Sequence, residues 1–231
     1  PGQPLAGLGE ALRYCIYAAF TSGNWDEAVQ QRARLDEIRE LLQYDHLAAA
    51  QLIRGYLTLL WIALAREDRP SIDAMVAMFN KYSEPYGPNF ANYIEALLVD
   101  DFHKFTLDLE QQVEDMLIAS LFQFYSEHGQ SLLAELGPGL SEIAQIYGSF
   151  RYFINIALAL NENDDTRLAQ AIDEAEAHQH PVHAARMRIV LAQRTGDRGQ
   201  LERARPVLER LGDQLHLRKL EEVEQTLSQE R

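Results

Sequence analysis

The chain has 231 residues, enough for one elongated domain or two small ones with a sizeable apolar core. Apolar residues make up 47% and charged residues 24%, and thirteen glycines and eight prolines are too few turn formers for a β-sandwich or barrel. The formal charge of −14 at pH 7 repels phosphates, which argues against nucleic acid or an anionic membrane as the ligand.

Leu8 to Phe20 carries Leu8, Ala11, Leu12, Cys15, Ile16 and Ala19 at helical spacing. Cys15 is the one cysteine; this placement predicts an inert core thiol, and its solitude fits a reducing, cytoplasmic compartment. Gly23 suits the left-handed end of that helix, and Asn24 suits the cap of the next. Asp26 to Leu42 then buries Ala28, Leu35, Ile38 and Leu42 and completes a first hairpin. A second runs from His46 to Ala65 and from Pro70 to Tyr82. Ser83 to Asn89 breaks the chain. Two further pairs span 89–116 and 117–136, and Gly137-Pro138-Gly139 marks a bend. Glu142 to Leu160 and Thr166 to Ala177 form the fifth pair. Pro181 to Arg194 and Arg198 to Leu211 form the sixth, with Pro206 expected to kink its second helix. Leu215 to Leu227 is a terminal helix with a polar outer face, as a helical array needs at its open end. No segment approaches the roughly 18 apolar residues of a membrane span. The chain opens at Pro1-Gly2 without a methionine and reads as an excised fragment, so the lack of a targeting segment excludes nothing.

These hairpins recur irregularly, and a shift of 33 superposes Leu168, Ala171 and Ala175 on Leu201, Ala204 and Leu208. The turn Gly23-Asn24-Trp25-Asp26-Glu27-Ala28 resembles the inter-helix signature of tetratricopeptide repeats, and Thr195-Gly196-Asp197 resembles the same point in another repeat. The stretch Leu201 to Asp213 is similar in texture to repeat arrays of large bacterial regulators of the maltose-activator or signal-transduction ATPase type. The resemblance implies an all-α, right-handed α-solenoid of about six antiparallel hairpins plus a capping helix, one repeat domain over residues 1–231. It implies a non-catalytic interaction or sensory arm, without a cofactor or metal, whose partner is a protein or peptide. Carried onto this sequence, the groove positions are Arg13 and Tyr17, Phe90 and Ile94, and His183 and Arg186.

Charge adds a preference. Glu84 to Glu142 holds eleven acids against Lys104 alone, whereas Arg186 to Arg210 holds seven arginines and three acids. The basic end could draw an acidic partner, or the acidic middle of a second copy, through self-association. Among chemical alternatives, His178, His180 and His183 have a spacing open to a metal. Asp100-Asp101 in Asp100-Asp101-Phe102-His103-Lys104 resembles the magnesium-binding motif of helical prenyl-diphosphate enzymes, with Lys104 where a further aspartate is expected. Glu110 and Glu114 share one helix face, whose plain reading is a solvated surface. A closed pocket for a small apolar effector among the aromatics is a third alternative.

Overall fold

The computed structural model describes residues 3–42, 46–82 and 151–229. The expected third and fourth hairpins and the bend at 137–139 lie outside them. Every regular element among the described residues is an α-helix, and no strand occurs among them. The chain divides into two compact units, Pro1–Phe20 with Asn24–Val113 and Thr21–Gly23 with Glu114–Arg231.

The first unit contains α1 (Gln3–Thr21), α2 (Trp25–Gln30), α3 (Arg32–Leu41), α4 (His46–Arg66) and α5 (Arg69–Tyr82). The expected second helix is interrupted at Gln31, yet Ala28, Leu35, Ile38 and Leu42 are all buried as its periodicity requires. Helix α4 runs alongside α1 in the same direction: Gly9 meets Leu52, Ile16 meets Gly55 and Phe20 meets Trp61. Against α2 and α3 it runs in the opposite direction, since Asp26 pairs with Arg66, Asp36 with Tyr56, and Leu35 lies on Gly55. Gly55 permits that approach. A Cβ there would lie 3.1 Å from Leu35 Cδ2 and 3.6 Å from Ile16 Cδ1. The α1–α2 turn is packed by Phe20 stacked on Trp25 at 5.8 Å, with the Trp25 Nε1–H donating to the Phe20 carbonyl at 3.1 Å.

The second unit contains α6 (Arg151–Glu162), α7 (Asp165–Ala177), α8 (Pro181–Thr195), α9 (Arg198–Leu211) and α10 (Gln214–Gln229). Each packs on the next, and α8 also meets α10. Paired numbers run in opposite senses between neighbours: Arg194 with Asp165 and Arg188 with Asp173, then Arg198 with Leu227 and Arg205 with Glu224. Neighbouring helices are therefore antiparallel. Ala185, Ile189 and Ala192 of α8, Leu201, Ala204 and Leu208 of α9, and Leu220 and Val223 of α10 form one core. Helix α9 continues through Pro206, which is exposed. The carbonyl of Glu202 that loses its amide partner is on a solvated face, so the missing bond costs little.

One turn geometry recurs in both units. Gly23, Glu67, Asn163, Gln179 and Gly212 all have positive φ, between 53° and 79°. The residue after each donates its amide to the carbonyl five residues back: Asn24 to Ala19, Asp68 to Ala63, Asp164 to Ala159, His180 to Ala175 and Asp213 to Leu208, at 2.7–3.0 Å. These are Schellman closures. The same residue then accepts the first bond of the next helix, from Ala28, Ile72, Leu168, Ala184 and Leu217 respectively. Asn24 makes no side-chain cap, contrary to the sequence expectation, whereas the side chains of Asp68, Asp164 and Asp213 do accept from amides three residues on. The left-handed conformation costs about 1–2 kcal/mol in a residue with a Cβ. Glu67→Gly and Gln179→Gly should each raise the unfolding free energy by about 0.5–1 kcal/mol, the relief less the added chain entropy. Urea unfolding of the single variants checks this; a loss of stability in both would contradict the assigned geometry.

Candidate functional site

The six residues assigned to binding fall into three groups. Phe90 and Ile94 lie outside the described residues, as do Asp100, Asp101, Glu110 and Glu114. His183 and Arg186 belong to α8, and Arg13 and Tyr17 to α1.

Helix α8 is buried on nearly every side, from Val182 through Ile189. Its small residues Ala184, Ala185 and Ala192 let neighbouring helices approach, so any polar side chain it carries needs an internal partner. Arg186, 5% exposed, directs Nε and Nη2 at Asp213 Oδ2, at 3.2 and 3.0 Å. Asp213 is fully buried in the α9–α10 turn, and its Oδ1 takes the backbone N–H of His216 at 3.1 Å and lies 2.8 Å from His216 Nδ1. Burial alone would raise the pKa of this carboxyl. The charges of Arg186 and His216, with the His216 hydrogen bonds, override it and hold the group at about 2. Arg186 thus fastens α8 to the start of α10.

Arg188, 2% exposed, does the same toward α7 and α9. It donates to Glu176 Oε1 through Nη2 at 2.6 Å and Nε at 3.1 Å, and to Gln200 Oε1 through Nη1 at 2.6 Å. Gln200 Nε2 in turn donates to Asp197 Oδ2, the cap of α9, at 2.9 Å. Sequence reasoning missed this network; the signal was Arg188 set between Met187 and Ile189, two residues beyond Arg186, in a helix with apolar residues on every side.

The arginine-rich stretch is consequently consumed within the fold. Arg194 pairs with Asp165, Arg205 with Glu224, Arg203 with Gln200, and Arg198 donates to the Leu227 carbonyl and Ser228. With Arg186 and Arg188, six of the seven arginines between Arg186 and Arg210 hold internal partners. Four of these arginines, Arg186, Arg188, Arg194 and Arg205, meet acids of neighbouring turns or helices.

At the α7–α8 turn, His178 Nδ1 lies 2.8 Å from the Glu174 carbonyl, and the His180 and His183 rings meet edge to face at 6.2 Å. His183 is 3% exposed. Among the described residues no group of three or more His, Cys, Asp or Glu side chains converges as a metal site would require.

Helix α1 is apolar nearly all round, and its orientation differs from the expected one. Leu12, Arg13, Ile16, Ala19 and Phe20 are buried, while Leu8, Ala11, Tyr14 and Cys15 are exposed. Cys15 is therefore a surface thiol, correcting its assignment to the core: with apolar residues on both sides, periodicity alone could not choose the face. Arg13 is only 3% exposed. Its guanidinium lies 4.5 Å from the Tyr14 ring centroid, and Nη2 reaches Glu10 Oε1 at 3.4 Å. Its Nε and Nη1 are buried without an acceptor. Glu10, Arg13, Tyr14 and Tyr17 follow the i, i+3, i+4, i+7 rule and make one strip along α1. Tyr17 is half-buried, and burial pushes its phenol pKa up, so the group stays a neutral hydrogen-bonding hydroxyl.

The chain matches no protein-family model, no curated protein and no solved structure.

Asp213→Ala strands Arg186 in the interior and should lower the unfolding free energy at pH 7 by about 3–5 kcal/mol. Because the folded pKa is depressed, the stabilisation is complete above the ordinary carboxylate value of about 4 and is lost as pH falls toward 2. Urea unfolding across this range should show a steeper acid loss in the parent chain than in the variant; equal slopes would remove the assigned coupling.

Proposed function

We propose that this chain is a non-catalytic helical-repeat domain, tetratricopeptide-like in its hairpins, that binds a protein or peptide within a larger bacterial regulatory protein of the cytoplasm. The observation that carries the proposal is the repeated turn, in which a left-handed residue and a shared capping residue join successive helices in both units. The parallel run of α1 and α4, with α2 and α3 antiparallel beside α4, is the order expected of stacked helix hairpins and supports this reading. In this reading each hairpin buries its apolar face on the next, and the first helices of successive hairpins line a groove.

Arg13 and Tyr17 are the binding residues this geometry favours. Arg186 is committed to Asp213 and His183 is buried, so both serve the packing of α8. Self-association and coupling to an attached module are the ways such an arm would pass a signal on.

Small-angle scattering tests the architecture. A compact domain of this length has a radius of gyration of roughly 17 Å, and the solenoid should lie clearly above it in a monomer. A value at the compact limit would end the solenoid reading. For the function, the immobilised chain is expected to retain a specific protein from extract of its native cell. A Tyr17→Ala variant of unchanged helicity should retain several-fold less. Equal retention removes the α1 groove, and no specific retention removes the binding function.

A further inference from the structure

Three arginines are buried among the described residues. Arg186 and Arg188 each turn the edge formed by Nε and Nη2 toward a carboxylate, at 2.6–3.2 Å. Arg13 is buried as deeply, at 3% against 5% and 2% exposure. On its corresponding edge Nε has no acceptor, Nη2 has only the long 3.4 Å contact to a half-exposed Glu10, and Nη1 is also without an acceptor. A guanidinium does not shed its proton to escape such a site, so the donors stay charged and desolvated. Tyr14 at 4.5 Å fixes the plane of the group from one face, and Tyr14 is itself 52% exposed.

We propose that Arg13 is a carboxylate receptor: its Nε–Nη2 edge takes an aspartate or glutamate side chain of a bound peptide, displacing Glu10. An apolar peptide residue flanking the acid lies on Tyr14, which is more than half exposed beside Arg13 on the same strip of α1. The ligand is therefore an acidic-apolar peptide, not a free small carboxylate, since the exposed apolar surface has a use only with a side chain to cover it. Rotating Glu10, itself half exposed, aside frees Nη2, and the outgoing carboxylate returns to water. This inference rests on the proposed binding function and names its recognition chemistry.

A random dodecapeptide library displayed on phage, selected on the intact chain, tests it. Enriched peptides should carry Asp or Glu next to an apolar residue, and Asn or Gln replacement of that acid should weaken binding by about tenfold or more. Arg13→Gln should abolish the acidic preference, and Arg13→Lys, which lacks the fork, should restore only part of it. A library without acidic enrichment, or one with the same enrichment on Arg13→Gln, overturns the proposal. If that variant fails to fold, the Arg13 Nε–Hε resonance of the parent chain decides: an enriched peptide must shift it, and an unmoved resonance sinks the site. Acetate alone producing the full shift at low millimolar concentration would assign the site to small carboxylates and overturn the peptide ligand. Specific retention of a cellular protein undiminished by Arg13→Gln would leave the binding function standing while this site falls.

Discussion

Successive helices here are joined by a two-residue device, and much of the described structure follows from it. A helix end leaves its last carbonyls unpaired, and the next helix begins with unpaired amides. In five turns one residue addresses both needs: its amide closes the helix behind it and its carbonyl opens the helix ahead. The preceding residue must then take the left-handed conformation, whatever its side chain. Because the device leaves no free loop, the chain reverses at once and each helix lies against its predecessor. Helix α8, which starts at the Gln179-His180 turn, packs against α7, α9 and α10 and is covered on nearly every side.

Burial on all sides sets the electrostatics. Charges in α8 are tolerated only where a neighbouring helix brings the opposite charge within hydrogen-bonding reach, and Arg186 and Arg188 meet that condition through Asp213 and Glu176. The acid in the first pair belongs to the turn device itself. Asp213 caps α10, carries the Schellman amide and accepts the arginine. The turn that defines the hairpin is thus also the anchor for the buried cation, and local geometry and tertiary packing depend on the same carboxylate. This is why a strongly basic run of sequence does not produce an equally basic surface.

Helix existence was legible because the apolar period is strong. The expected boundaries at 46–65, 70–82, 181–194 and 198–211 lie within a residue or so of those of α4, α5, α8 and α9. The turns were legible where glycine marked them, at Gly23 and at Gly196, though Gly196 closes its helix by a single amide bond to Ala192 in place of the five-back bond seen after Gly23. At Glu67, Asn163 and Gln179 the left-handed residue has a side chain and leaves no mark of its own. The better signal was longer: a small or apolar residue five positions before the capping residue and another four after it, as in Ala63, Asp68 and Ile72 or Ala159, Asp164 and Leu168. Facing was legible only where one side of a helix is polar. Helix α1 lacks a polar side, so Cys15 could not be separated from Ile16 by pattern. Likewise, Arg13 was singled out by its position relative to the first turn, whereas its burial, and the orphaned donors that come with it, depend on packing that no local pattern records.

Two kinds of buried arginine therefore coexist in this chain, and their energetics differ in sign for a ligand. Where the carboxylate is internal, as at Arg186, the desolvation of the guanidinium is offset on folding and a second anion would gain nothing. Where the carboxylate is only the long contact to half-exposed Glu10, as at Arg13, the folded state already bears the cost of stripping water from Nε and Nη1, of order 1–3 kcal/mol for each group left unsatisfied. A carboxylate arriving at Arg13 then forms charge-assisted bonds without having to dehydrate the receptor, so more of the contact energy is available for affinity. The same reasoning explains why arginine suits the position. A lysine there could lose its proton and relieve the strain of burial, and with it the attraction for the anion.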